Sequence, residues 1–228
     1  MWNRKELKAK GKTAFKANYW KSVLSALLLT IAVGGAGFVA TKGADKDELS
    51  SQLSNLTETQ LFAVIMVVLG AVAIVALVVA IIRIFLLNPL EVGCQRFFVE
   101  NSKNPAELGE LGFGFKNHYG SVIATILLRD VFLFLWGLLF IIPAIIKTYS
   151  YRMVPYIVAE NPDMKATDAI TLSRNMMKGH KWNAFVLDLS FIGWYLLSAL
   201  TLGLLAFFYV YPYHYATNAE LYGALKNK

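Results

Sequence analysis

The 228 residues are 57% hydrophobic and 16% charged, with a mean hydropathy of +0.50, against roughly 45–50% apolar and about 25% charged in soluble domains. The composition therefore points to lipid rather than water around most of the chain. The net charge of +7 is concentrated at the start, which argues against a uniformly basic nucleic-acid-binding surface, and the single cysteine, Cys94, excludes an internal disulfide.

Residues 1–21 carry seven basic side chains and one acid, Glu6. Leu7, Gly11, Phe15 and Tyr19 recur at four-residue steps and form an apolar stripe flanked by lysines. The pattern predicts an amphipathic helix lying at a membrane surface, with Trp2 and Trp20 at headgroup depth. Anionic lipid headgroups attract such a segment by about 1 kcal/mol per basic residue, and the same charges fix its side as cytoplasmic. The rest of the chain, 22–225, reads as one transmembrane helical domain. A first span is expected at 23–40. It reads as retained rather than cleaved, because a cut after Ala40 would put Phe38 where a small residue is needed. Residues 41–60 are polar and net acidic and read as an external loop. A second span follows at 61–87, long enough to cross about 30 Å with tilt. Asn88-Pro89 is expected to end it.

Residues 88–117 read as a cytoplasmic loop with a short surface helix. The stretch 118–159 is twice the length of one span, and the basic segment 160–182 beyond it belongs in the cytoplasm. Two spans, 119–138 and 140–158, turning near Trp136-Gly137, satisfy both constraints. Within 160–182, Asn161-Pro162 is expected to open an amphipathic helix and Gly179 to close it. Ala166, Ala169, Ile170, Ser173, Met176 and Met177 form its face. Two final spans, 183–200 and 204–221, turn at Thr201-Leu202-Gly203. The expected fold is thus an all-α polytopic transmembrane bundle of about six spans with amphipathic interfacial helices, four long helices being the alternative. Both termini are expected in the cytoplasm.

Ionisable groups inside spans are the default place to look for function. Arg129 and Asp130 fall mid-way along the third span and Asp188 within the fifth. Neighbours on a helix diverge by about 100°, so Arg129 and Asp130 are not expected to pair with each other. Asp188 is the expected partner of Arg129, in a structural lock or a polar pathway. Arg83, near a span end, is expected to reach the headgroups. The last span holds a second candidate cluster, Tyr209, Tyr211, Pro212, Tyr213 and His214. There a proline frees a backbone carbonyl for a transported ligand or simply kinks the helix. His118, His180 and His214 are too far apart for metal-ligand spacing, and no phosphate loop, nucleophile elbow or paired-carboxylate motif occurs. No catalytic, cofactor or metal residue is therefore expected, nor an enzymatic role. The expected role is envelope maintenance or service to a membrane protein partner, with a small transporter or channel as the alternative.

Several blocks resemble a known group. They are the start Met1-Trp2-Asn3-Arg4-Lys5-Glu6-Leu7-Lys8, the entry Asn18-Tyr19-Trp20, the block from Leu138 to Lys147 and a C-terminal run. That run includes Ser173, Met177-Lys178-Gly179, Ser190 to Trp194, Thr201-Leu202-Gly203, Pro212-Tyr213 and Tyr222. Together they are similar to an uncharacterised family of Gram-positive integral membrane proteins, domain of unknown function 975. Ala144 stands where glycine is expected after Pro143. Pro143, Arg152, Glu160, Ser173 and Gly179 also look faintly like membrane domains attached to some glycerophosphodiester phosphodiesterases. The resemblance implies a multi-span bacterial inner-membrane protein and carries no activity.

Overall fold

The computed structural model describes residues 2–34, 57–116 and 118–227; most of the expected external loop and the end of the first span lie outside them. Helix α1, Arg4–Ala17, starts where the Asn3 side chain accepts the Lys5 N–H at 2.9 Å, satisfying one of the donors a helix start leaves open. Helix α2 is Tyr19–Gly34. A continuous helix of 46 residues then runs from Glu58 to Lys103. It comprises α3, Glu58–Ile82, a π-helical turn, Arg83–Leu87, and α4, Asn88–Lys103. Helix α5, Phe113–Lys116, and α6, Tyr119–Leu139, follow. After them come α7, Ile141–Tyr151, α8, Val154–Glu160, and α9, Ala166–Met176. The chain finishes with α10, Lys181–Leu189, α11, Ile192–Leu200, a second π turn, Ala206–Val210, and α12, Tyr211–Lys226.

The fold among the described residues is all-helical, and three helices are long and apolar enough to cross a membrane: Glu58–Lys103, Tyr119–Leu139 and Lys181–Leu200. About six spans are not supported among the described residues. Helix α2 has 16 described residues. The expected fourth span breaks at Arg152-Met153, because Pro155 lacks an N–H and its ring disfavours helix just before it. The sixth opens on a π turn. Four long helices are not found either, since Phe140 is extended, at φ −158° and ψ 147°, and separates α6 from α7. That turn lies a few residues beyond the expected Trp136-Gly137. The turn at Thr201-Leu202-Gly203 falls where expected, with Leu202 at φ +51° and Gly203 at φ +85°. Gly179, at φ +77°, follows α9 as anticipated, but α9 starts after Lys165, and Asn161 caps the end of α8 instead.

Asn88-Pro89 does not end the second span. The preceding turn widens to a π turn, and Asn88 N–H bonds back to the Arg83 carbonyl. The extra residue relieves the clash that proline makes with the carbonyl four positions earlier. That carbonyl, Phe85 O, accepts the Tyr119 hydroxyl at 2.6 Å. The arrangement recurs at Pro212, where Tyr211 N–H bonds to the Ala206 carbonyl and Phe208 O accepts the Tyr19 hydroxyl at 3.1 Å. Both tyrosines are the first residues of their helices.

The likeness extends further. Pro89, Pro155 and Pro212 are each followed at four residues by a small buried residue, Gly93, Ala159 and Ala216, and at six by an amide, Gln95, Asn161 and Asn218. An aromatic-basic entry precedes both α2 and α6: Phe15-Lys16 before Tyr19, and Phe115-Lys116 before Tyr119. Among the described residues, α4, α8 with its C-cap, and α12 thus share a proline, a small buried residue and an amide at the same spacing.

These helices form the core. Helix α4, expected as part of a loop, buries Val92, Cys94, Phe97 and Phe98 among polar residues that hide the pattern. Helix α1 lays Leu7, Gly11 and Phe15 inward, and Gly11 sits against Thr217 of α12. Its apolar stripe therefore meets protein, while Lys5, Lys12 and Lys16 stay exposed. Helix α3 differs from the rest, with no residue buried.

Candidate functional site

Beside this core lies a cavity of about 460 Å³, within the roughly 300–1,000 Å³ range of small-molecule sites. Its wall carries three arginines, Arg83, Arg129 and Arg152, and three carboxylates, Glu91, Asp130 and Asp188. Tyr149, Tyr151, Tyr156 and Tyr215 line it too, with Gln95, Thr148 and Asn218, and Val33, Leu133 and Ile145 supply apolar wall.

Two ion-pair clusters divide the cavity. In the first, Arg129 of α6 donates to both oxygens of Glu91 on α4, at 2.6 and 3.0 Å. The geometry is the bidentate fork that suits guanidinium to carboxylate. Arg129 is 8% exposed and Glu91 4%, so each charge depends on the other. Arg129 also donates through Nε and Nη2 to Asp130 Oδ1, at 2.9 and 2.7 Å. The expectation that these two neighbours do not pair is thereby corrected: the long guanidinium arm folds back far enough to span the angular offset. Arg83 stands 3.5 Å from Asp130 Oδ2.

In the second cluster Asp188, expected to face Arg129, is instead held by Arg152, with both carboxylate oxygens accepting at 2.7 Å. Arg152 sits at the α7–α8 break, which aims it across to α10. Its Nη2 also donates to Asn218 Oδ1 at 2.7 Å. The Tyr149 hydroxyl donates to Asp188 Oδ2 at 3.0 Å, and His214 Nε2 lies 3.0 Å from Oδ1. The other ring nitrogen of His214 is 2.9 Å from the Tyr195 hydroxyl. One member of the last-span cluster, His214, therefore joins Asp188. The others serve packing: Tyr213 crosses Phe191 at 5.0 Å, Tyr209 lies against Trp194 at 5.1 Å, and Tyr211 meets Phe207 at 5.6 Å. Pro212 is buried behind its π turn.

Just past Asp188, the α10–α11 break at Ser190-Phe191 is covered from α1. Lys8 donates to the Ser190 carbonyl at 3.2 Å and lies 4.4 Å over the Phe191 ring. Away from the cavity, Glu160 accepts from Tyr222 and Lys226, both at 2.6 Å. Burial raises the Glu160 pKa, but those hydrogen bonds and the nearby ammonium groups outweigh it and hold the carboxyl below its usual range. Among the described residues no cluster of three or more His, Cys, Asp or Glu side chains is placed to hold a metal ion.

The family model described as "Protein of unknown function (DUF975)" matches residues 59–228. The chain belongs to that family. No curated protein and no solved structure matches it. In this DUF975 chain the residues hardest to recognise from sequence are Glu91, Gln95 and Arg152. Glu91 and Gln95 look like the start of a polar loop, and Arg152 like a charge near a span end. One signal was available: Asn88, Glu91 and Gln95 recur at i, i+3 and i+7, the spacing of one helix face.

Proposed function

We propose that this chain is a multi-pass protein of a bacterial cell membrane that binds a polar solute in the charged cavity between its helices, in a transport or binding role rather than an enzymatic one. The observation that carries the reading is the cavity itself. Six ionisable side chains surround open volume inside a bundle whose outer surface is apolar. Charges at hydrocarbon depth are costly, and they mark substrate or ion pathways where they line a cavity rather than a closed core. The broken and π-helical segments beside Arg83, Arg152 and Asp188 resemble the discontinuous helices that form solute sites in transporters. Basic residues at 1–21 and 160–182 support cytoplasmic placement of those segments and of both termini. The exposed lysines of α1 suit anionic headgroups.

Cysteine accessibility tests this reading. Thr148 lines the cavity, Leu196 is 66% exposed on the outer apolar surface, and the native Cys94 is buried. Thiol reagents attack the thiolate, which needs water. In liposomes, Thr148→Cys is expected to react with a charged, membrane-impermeant thiol reagent, while Leu196→Cys and the native protein do not. Failure of Thr148→Cys to react would remove the aqueous cavity and the solute-binding role with it.

A further inference from the structure

We propose that the Arg83–Asp130 pair is the recognition subsite of the cavity and that it takes a zwitterion, a group carrying an ammonium and an acid a few ångströms apart. The proposal rests on the solute-binding reading above and names its ligand class.

Arg129 and Arg152 each grip a carboxylate with a two-pronged fork, and Arg152 also donates to Asn218. Arg83 does not. Its guanidinium, 35% exposed, stands 3.5 Å from one carboxylate oxygen and makes no hydrogen bond among the described residues. A guanidinium offers five N–H donors, so a full fork is open toward the cavity. Across from it, Asp130 Oδ1 is taken by Arg129, whereas among the described residues Oδ2 has Arg83 alone beside it. The pair is loose on both sides. A ligand acid fits the open fork of Arg83 bidentately, and a ligand ammonium fits Asp130 Oδ2.

Charge balance selects a zwitterion over a simple anion or cation. The lining holds three arginines and three carboxylates, so their formal charges cancel. A lone ion would leave an uncompensated charge in a low-dielectric site, where such charges are most costly. A zwitterion preserves neutrality while satisfying both loose groups. The π turn that begins at Arg83 re-aims this side chain relative to a regular helix, and such turns recur at functional sites. Gln95, 7% exposed, also lines the cavity, and its buried Oε1 has no partner among the described residues, but it is a separate polar position on the wall and not part of this subsite.

This headgroup chemistry has two sources, phosphatidylethanolamine in the bilayer or a free solute such as an amino acid. The experiment measures thermal unfolding of the full chain in nanodiscs. One arm compares phosphatidylethanolamine with phosphatidylglycerol discs. The other adds phosphoethanolamine or L-leucine to phosphatidylglycerol discs. At least one zwitterion is expected to raise the unfolding temperature by several degrees, saturably for the soluble probes. Arg83→Gln is expected to abolish the rise and Arg83→Lys to keep part of it. The arm that responds identifies the source. Absence of any rise in the native protein, or a rise that persists in Arg83→Gln, overturns the proposal. Should that happen while Thr148→Cys still reacts with the aqueous reagent, the cavity stands and only the ligand class falls.

Discussion

Replacing Arg129 by leucine removes the centre of the first ion-pair cluster. It strands Glu91, 4% exposed, with no other hydrogen-bond donor among the described residues. Breaking a buried pair by removing one partner costs about 3–5 kcal/mol, because an uncompensated charge stays buried. Glu91→Leu costs less. Arg129 then loses two charge-assisted bonds but keeps a carboxylate partner, Asp130, at 2.7 Å, so its charge is not left unpaired. The double variant removes both buried charges and restores apolar packing, so its stability returns to within about 1 kcal/mol of the native protein. The cycle is read by titrating SDS into dodecylmaltoside micelles and following helix loss. Arg129→Leu is expected to unfold at the lowest SDS fraction, Glu91→Leu next, and the double variant above both. A double variant whose loss equals the sum of the two singles, within about 0.5 kcal/mol, would refute the coupling of these two side chains.

Asp188→Asn leaves Arg152 without its carboxylate and is expected to destabilise by about 2–4 kcal/mol. Asp163→Asn, at an exposed pair with His118, is expected to change stability by about 0.5 kcal/mol or less; equal melting of the two variants in detergent would contradict this. Gly93→Ala places a methyl group on the Leu111 carbonyl, a backbone contact that no rotamer relieves, and is expected to cost about 1–3 kcal/mol in the same SDS titration. Glu160 has a folded pKa below its ordinary value. Its contribution is therefore complete above about pH 4.5 and is lost as pH falls through the folded value. Unfolding profiles from pH 7 to pH 3 should show that acid-side loss in the native protein and a flatter profile in Glu160→Gln.

Helix class was legible because long apolar runs without alternation admit no other solution in lipid. The C-terminal turn was legible because Gly203 accepts the left-handed conformation that other residues resist. The stripe Leu7-Gly11-Phe15 was legible as a face, but not what it meets. Periodicity reports that a face is apolar and cannot separate lipid from α12. The partner of Arg129 was not legible. Asp188 was the visible intramembrane carboxylate, whereas Glu91 lies beyond a proline that reads as a helix end. A π turn carries the helix through that proline, and a one-residue widening leaves no mark in hydropathy. The threefold recurrence of proline, small residue and amide was present in the sequence all along, with identities too sparse to stand out until the three helices are placed side by side.

The charges of the cavity sit where helical regularity lapses. Arg83 begins a π turn, Glu91 falls in the first turn after it, Arg152 occupies the α7–α8 break, and Asp188 comes just before the α10–α11 break. Only Arg129 and Asp130 ride a regular helix, and they pair with each other as well as across the bundle. A break leaves backbone carbonyls without helical donors and opens space between neighbours. Charged side chains beside it gain partners and room that the middle of a regular apolar helix does not offer. If the breaks exist to build the cavity, restoring regularity should close it. The change that tests this is Pro89→Ala, which removes the proline clash that the widening relieves without altering the length of the chain. Loss of Thr148→Cys reactivity in that background, with the protein still folded, would tie the cavity to the proline. Unchanged reactivity would mean that the ion pairs alone hold the space open.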